Sequence, residues 1–179
     1  MRSRYKFLES DGIYFVTSTI LEWIPIFTSE SYFEIIINSL KYCREQKKMR
    51  LHAYVILDNH LHLIVSGDKL KDTLKSFKMF TAKGILEQLE IDKKEWLLHQ
   101  LEFYKLRFKI RSIHQVWQEG LHPEIVNDEE LFIQKTEYIH NNPVKRGYVT
   151  HPEHWKYSSA GYYILQEKGV IEIDDPWKE

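Results

Sequence analysis

Two separate segments of the sequence carry side chains whose types and spacing could do chemistry. The first holds His60 and His62, separated by one leucine within an apolar run. Side chains two apart in a β-strand point the same way, so both imidazoles would share a face and could converge on one cation. The second holds Tyr138 and, four residues later, Asn142, which would lie on one side of a helix. A cation at the histidines and a phenol aimed at it would suit attack on a phosphodiester.

The residue types favour one metal class and one reaction. An oxygen ligand from Asn142 beside two imidazoles suits Mg²⁺ or Mn²⁺ better than structural zinc. A tyrosine phenol has a pKa of about 10, so the target phosphate would need polarisation by the metal. Attack by the Oη atom of Tyr138 would give a phosphotyrosine and release a 3′ hydroxyl. Each feature alone also has a purely structural explanation. The histidines could lie on a solvated or helix-covered face of a sheet, the tyrosine in the core or at its rim, and the asparagine in a turn before proline.

The first half of the chain predicts elements that would position the histidines. Asp58 and Asn59 supply turn chemistry between two apolar runs and predict a hairpin there. β-branched and aromatic residues predict strands at 13–19, 51–57 and 60–66. Apolar residues three and four apart predict helices at 29–46 and 69–89.

The second half predicts the element that carries the tyrosine. Residues 93–109 have helical spacing over most of their length, although their end also alternates like a strand. Residues 120–126 predict a strand. A helix would begin after a cap at residue 127 or 128, and Asn141-Asn142-Pro143 would end it, because proline disfavours helical backbone in the preceding residue. Interleaved helices and strands with one antiparallel pair predict an α+β fold with helices packed on a sheet.

Length and composition predict a folded intracellular domain. The 179 residues are 43% hydrophobic and carry a net charge of −1, and Cys43 is the single cysteine, so no intrachain disulfide can form. We expect one domain over residues 1–179, with a core at about 12–163 and a tail at 164–179. The sequence shows neither a membrane-spanning stretch nor a signal segment, so the predicted location is the cytoplasm and no membrane partner is expected.

Basic residues are concentrated in residues 41–83, where ten Lys/Arg stand against four acids, and in residues 105–111, although the whole chain is nearly neutral. Local basic surface is what a phosphate backbone attracts. Solvated lysines on a helix are an equally ordinary explanation. The residues that we consider for phosphate contact are Lys71, Lys75, Lys78 and Lys83.

Beyond these local patterns, residues 53–64 resemble the histidine–hydrophobe–histidine segment of single-tyrosine HUH transposases. Matching segments extend from about Phe15 to Tyr163, and their order is more specific than any one of them. Asp58 departs from the family pattern, in which many members have proline. Three further segments are similar to the branch of REP-associated tyrosine transposases: residues 116–120, 138–147 and 155–159.

The resemblance implies a fold, a reaction and residue roles. The fold is a ferredoxin-like α+β sandwich whose antiparallel sheet carries the histidines. The reaction is cleavage and rejoining of single-stranded DNA with Mg²⁺ or Mn²⁺, through a phosphotyrosine, at hairpins or palindromic repeats. By position, His60 and His62 match the family's metal ligands, Asn142 the polar residue completing the metal shell, and Tyr138 the nucleophile. Some members dimerise, so a homodimer is a further expectation.

Two other functions are compatible with the sequence. The chain could be a catalytically silent protein that binds DNA or RNA hairpins through its basic surface. It could also hydrolyse small phosphoesters with a metal while Tyr138 is only structural, although it lacks the extra carboxylates expected to hold two metals. Hairpin binding without cleavage would favour the first alternative. Unchanged turnover in a Tyr138→Phe variant would favour the second.

Overall fold

The computed structural model describes residues 12–106 and 109–176 of the chain. Its strands are β1 (Tyr14–Thr19), β2 (Arg50–Ile56), β3 (His60–Ser66) and β4 (Glu124–Ile125). Its α-helices are α1 (Glu30–Lys47), α2 (Leu70–Ile91), α3 (Glu95–Phe103), α4 (Glu129–Lys145) and α5 (Ala160–Leu165).

The strands form one antiparallel sheet in the order β2-β3-β1-β4. Along the chain they alternate with helices as β1-α1-β2-β3-α2-β4, with α3 placed before the last strand. This chain order and this strand order together define a ferredoxin-like sandwich, so the predicted fold is confirmed. The predicted hairpin is also present, because β2 and β3 pair on either side of Asp58 and Asn59.

One face of the sheet packs against α1 and α2. Strand alternation sends Val16, Leu61 and Leu63 to this face, where all three are fully buried. The apolar stripe of α1, which includes Ile36 and Leu40, fills the space above them. Burial of this layer removes a large apolar area from water and is the main stabilising contribution to the sandwich.

The opposite face of the sheet packs against α4. Phe15, Ala53 and Ile64 point to this side from three neighbouring strands and contact Phe132 and Ile139 of the helix. The leucines that flank the histidines occupy the first face, so the histidine side chains lie on this second face. Helix α4 is therefore the element that brings other side chains to the histidines.

Helix α3 is shorter than the helix predicted at 93–109. It ends at Phe103, and residues 107–108 lie outside the described residues. The buried side chain of α3 is Leu101, whereas Trp96 and Phe103 are exposed. Further turns would gain little apolar contact, and a helix without such contact is marginal in water.

Strand β4 lies within residues 120–126, the segment predicted to contain a strand. It contains two residues, which pair with Tyr14 and Phe15 of β1. Pro123 stands directly before them and has no N–H group to extend the ladder. The sheet consequently has a minimal edge strand on the side of β1.

The prediction that residues 141–143 end the last helix is wrong. Helix α4 continues to Lys145 with Pro143 inside it. The side-chain amides of Asn141 and Asn142 donate hydrogen bonds to main-chain carbonyls four residues earlier, at 2.9 and 2.8 Å. These bonds add contacts within the last turns of the helix, although the carbonyl of Ile139 still lacks the donor that a proline cannot supply. Pro143 is itself buried, so packing outweighs the local preference.

The C-terminal segment over residues 164–176 packs against the edge of β2. Ile171 is buried in the first core. The carboxylate of Asp174 accepts a hydrogen bond from the Leu51 main-chain N–H at 2.8 Å and pairs with Arg44 at 2.9 Å. Within the described residues, no helix combines the length and apolar character that crossing a bilayer requires.

Candidate active site

Strand β3 places the two predicted metal ligands side by side. The ring centroids of His60 and His62 are 4.9 Å apart, and the ring planes are inclined at 80°. Each side chain is almost fully buried, with 4% and 5% of its surface exposed. The antiparallel register with β1 sets Thr19 opposite His60 and Thr17 opposite His62. Residues from two adjacent strands therefore form the floor of the site.

The tautomer of His60 is set by the residue before it. The Asn59 Nδ2 atom donates a hydrogen bond to the Trp23 carbonyl at 2.8 Å, which fixes the orientation of the amide. Its Oδ1 atom lies 2.8 Å from Nδ1 of His60 and can only accept. The proton of the neutral imidazole is therefore on Nδ1. The Nε2 atom carries the lone pair that a metal ligand needs.

His62 has a matching arrangement. Its Nδ1 atom is 2.8 Å from the Thr17 hydroxyl, and its ring stacks on Phe15 with 5.3 Å between centroids. Its Nε2 atom is buried and has no hydrogen-bond partner among the described residues. A buried polar atom without a partner is costly, and a bound cation would satisfy it. When Nδ1 donates its proton to Thr17, this Nε2 atom is ligand-competent.

Both histidines are held in the neutral form. Burial lowers the pKa of His60 to about 4, and the nearby Arg146 guanidinium adds to the effect. Burial lowers the pKa of His62 to about 3, with smaller contributions from His60, Lys135 and Arg146. Metal ligation requires unprotonated imidazole nitrogens. The pair meets this requirement at neutral pH without deprotonation on binding.

Helix α4 presents Tyr138 to the histidines. Asp128 is the N-cap of the helix, and its carboxylate accepts a hydrogen bond from the Leu131 N–H at 2.8 Å. Phe132 and Ile139 lie on the buried side that anchors the helix to the sheet. The Tyr138 ring centroid lies 5.3 Å from that of His62, with 44% of the residue exposed. One chain thus brings an accessible phenol and the imidazole pair together.

Asn142 lies one helical turn beyond Tyr138. Its Nδ2 atom donates to the Tyr138 carbonyl at 2.8 Å, which leaves Oδ1 as the atom that can bind a cation. Across the described ranges, no cluster of three or more His, Cys, Asp or Glu could hold a metal. The donors that the structure brings together are the two neutral imidazoles, and the Asn142 amide oxygen would complete the set. These types, and the unpartnered Nε2 of His62, fit a divalent cation such as Mg²⁺ or Mn²⁺.

Arg146 is a site residue that the sequence did not predict. It follows the end of α4, and its Nη1 atom donates to Asp58 at 2.8 Å. Its Nη2 atom donates to Oδ1 of Asn59 at 3.3 Å and lies 3.5 Å from Nδ1 of His60. The guanidinium joins the end of the tyrosine helix to the turn that precedes the histidines. A basic residue after a helix was visible in the sequence, but its distant partner was not.

The four lysines considered for phosphate contact differ in their surroundings. Lys71 and Lys75 are exposed on a groove of about 500 Å³ that Trp117 also lines. The Lys78 ammonium instead donates to the carbonyls of Gln118 and Gly120 at 2.7 and 2.8 Å. Burial lowers the pKa of Lys78 to about 8.

Lys83 lies further along α2 and pairs with Glu87 at 3.7 Å, where both side chains are exposed. Of the four lysines, Lys71 and Lys75 are the pair best placed to meet a phosphate backbone. Gln118, at the end of the groove, donates its main-chain N–H to the carbonyl of Thr19 at 2.8 Å. Thr19 pairs with His60 in the sheet, so Gln118 connects this groove to the end of β1 beside the histidines, although α2 packs on the opposite face.

A ferredoxin-like sheet with paired histidines, faced by a tyrosine on a following helix, defines the structural class that the HUH-like segment predicted. Comparison with known proteins agrees. The chain is 25% identical over 148 residues to a Haemophilus influenzae protein named as a REP-associated tyrosine transposase, covering 83% of this chain and 79% of the relative. No family model matches the chain.

A solved structure shows the same fold. It is described as a REP-associated tyrosine transposase bound to a REP hairpin, and it matches 100% of this chain and 95% of its own. The TM-score is 0.63 and the sequence identity is 16%. The predicted resemblance to REP-associated tyrosine transposases is therefore confirmed in sequence and in fold.

Proposed function

We propose that this protein is a metal-dependent endonuclease and strand transferase acting on single-stranded DNA. The observation that supports it best is the position of Tyr138. The phenol is exposed and its ring lies 5.3 Å from His62, although the surrounding face of the sheet is buried. A purely structural tyrosine would gain more by packing into that core. The similarity to REP-associated transposases supports DNA as the partner.

The residue roles follow from the chemistry of the site. His60, His62 and Asn142 would hold Mg²⁺ or Mn²⁺. The bound metal would supply Lewis acidity toward a nonbridging phosphate oxygen. Thr17 and Asn59 orient the imidazoles through their Nδ1 atoms.

The proposed reaction exchanges the DNA phosphodiester bond for a phosphotyrosine bond, which retains its energy. The Tyr138 Oη atom loses its proton and bonds to phosphorus, while the bond from phosphorus to the 3′ oxygen breaks. That oxygen leaves as a 3′ hydroxyl after gaining a proton. Attack by another 3′ hydroxyl on the phosphotyrosine reverses the step and joins a new strand. No nucleotide cofactor is needed, because the covalent intermediate retains the energy of the broken bond.

The substrate that we propose is a DNA hairpin with single-stranded flanks. The structural neighbour was solved bound to a REP hairpin, and Lys71 and Lys75 line a groove along α2 in which Gln118 bonds to Thr19, opposite His60. A backbone running along that groove would meet positive charge before it reached Tyr138. Tyr138 and the histidines meet within one chain, which supports cleavage by a single chain, and the homodimer stays an expectation from the resemblance.

The test is a covalent-adduct assay. The protein is mixed with Mn²⁺ and an end-labelled DNA hairpin carrying single-stranded flanks, and adducts that survive denaturation are counted. We expect an adduct with the natural chain and none with Tyr138→Phe. Tyr42→Phe is the matched control, because Tyr42 is 52% exposed on α1 at the other face of the sheet. An undiminished adduct in Tyr138→Phe refutes the nucleophile, and tight hairpin binding with no adduct favours a silent binding protein.

A further inference from the structure

The chain is strained directly beside the histidines. Glu22 and Trp23 follow β1 with φ angles of 51° and 57°, in the left-handed region that side chains other than glycine rarely adopt. Two such residues cost on the order of 1–3 kcal/mol each. The Trp23 carbonyl accepts the hydrogen bond from Asn59, and its N–H donates to the Ile20 carbonyl at 3.0 Å. Contacts with the site therefore hold the strained turn in place.

The strained turn exposes a large aromatic ring. Leu21 and Ile24 on either side are buried, with 5% and 7% of their surface exposed, whereas Trp23 is 52% exposed. Its ring centroid lies 5.3 Å from that of His60, at an interplanar angle of 72°. The turn thus removes the indole from the core and sets it against a proposed metal ligand. An indole placed this way contributes little to burial.

The chemistry around the ring selects its ligand. Arg146 lies 3.5 Å from Nδ1 of His60, against which the indole is set, and Lys145 lies over the Tyr138 ring at 5.5 Å, within the same proposed site. A flat apolar surface next to cations and a proposed phosphodiester site suits a nucleotide, whose base stacks while its phosphate meets positive charge. An apolar peptide would gain nothing from the cations, and a free phosphate would gain nothing from the indole.

We propose that Trp23 is a stacking platform for an unpaired nucleobase of single-stranded DNA next to the phosphodiester that Tyr138 attacks. This inference rests on the proposed function. Every base offers a π-face, so the platform tolerates any base but requires one that is not stacked in a duplex. It accordingly favours cleavage in a single-stranded flank over cleavage within a paired stem. It also places one nucleotide beside His60, near the end of α4 that carries Arg146.

The test measures DNA affinity in the Tyr138→Phe background, where no covalent bond can form. The probe is a hairpin with a single-stranded flank in which each flanking nucleotide is replaced in turn by an abasic residue. Stacking is worth about 1–3 kcal/mol per base, so Trp23→Ala should weaken binding by about 5- to 150-fold, while Trp23→Phe keeps most of the affinity. Trp96→Ala is the matched control, because Trp96 is 67% exposed on α3.

The platform makes a specific prediction about additivity. With Trp23 present, one abasic position in the DNA should weaken binding as much as the Trp23→Ala substitution does on intact DNA. In the Trp23→Ala variant, the same abasic position should weaken binding no further. Full additivity at every position, or unchanged affinity of Trp23→Ala, overturns the inference. The Phe variant guards against misfolding, since it keeps an aromatic ring on the same backbone. Adduct formation by the natural chain on the same DNA tests the proposed function separately, because binding is measured without cleavage.

Discussion

Substitution of Asp58 by asparagine tests whether the tyrosine helix is held in position by the histidine turn. Asp58 lies in the turn between β2 and β3, and its carboxylate accepts the hydrogen bond from Arg146 at 2.8 Å. The same guanidinium contacts Asn59, which sets the tautomer of His60. The ion pair therefore connects the two halves of the site. The Asp58→Asn change keeps the shape of the side chain and removes its charge.

The expected magnitudes differ for stability and for catalysis. The Arg146 and Asp58 side chains are 30% and 27% exposed, and pairs of this kind contribute about 0–1 kcal/mol to stability. The free energy of unfolding should therefore fall by less than about 1 kcal/mol. Loosening of α4 that displaces the phenol by about 1 Å can cost up to about 100-fold in rate. We expect adduct formation to slow by about 10- to 100-fold.

The direction in which Asp58→Asn changes the reaction rate distinguishes a role in positioning Tyr138 from a general effect of charge on DNA attraction. Asp58→Asn removes a negative charge, so simple attraction of phosphates predicts tighter binding and a faster reaction. If the ion pair positions Tyr138, the reaction should be slower while the affinity for DNA is unchanged or improved. The assay compares the single-turnover rate of adduct formation with the Kd measured in the Tyr138→Phe background. Glu30→Gln is the control, because it breaks an exposed ion pair with Lys156 that also joins distant segments. A rate equal to or above that of the natural chain refutes the reasoning.

Two further predictions concern the metal and the buried histidines. Mn²⁺ at 100 times its Kd should stabilise the chain by about 2.7 kcal/mol and raise Tm by about 5–10 °C in a thermal-shift measurement; His62→Ala should abolish the shift, and an equal shift in that variant would place the metal elsewhere. Burial lowers the pKa of His140 to about 4, so the unfolded chain is protonated first as pH falls below about 6.5. Stability should then decline toward pH 4 by up to about 1.4 kcal/mol per pH unit from this residue. In urea unfolding, the free energy of unfolding of His140→Gln should decline less with falling pH than that of the natural chain. Parallel pH dependences in the two proteins would contradict the attribution to His140.

The sequence predicted the parts of the fold that depend on local patterns. Alternation of histidines with leucines in β3 correctly set which face carries the imidazoles, because a strand has a period of two. Turn chemistry at Asp58 and Asn59 located the hairpin. The cap predicted at residue 127 or 128 located the start of α4, whose N-cap is Asp128.

The errors arose where tertiary contacts outweigh local preference. Proline normally disfavours a continuing helix, yet Pro143 is buried and lies inside α4, while neighbouring asparagine amides satisfy carbonyls of the preceding turn. The contact between Arg146 and Asp58 was invisible for a related reason. Its partners are far apart in the chain, and no local pattern indicates that a helix end will meet a hairpin turn. The strained exposure of Trp23 depends likewise on a distant amide, that of Asn59.

The position of α4 explains why the site can be disturbed without unfolding the sandwich. The ferredoxin-like unit is complete at β4, and α4 is a later helix that docks on the face left open by α1 and α2. It is attached through its capped start at Asp128, through Phe132 and Ile139, and through Arg146 at its end. Small errors in these attachments move Tyr138 relative to histidines fixed in the sheet. Substitutions at the last attachment should therefore impair catalysis well before they unfold the sandwich.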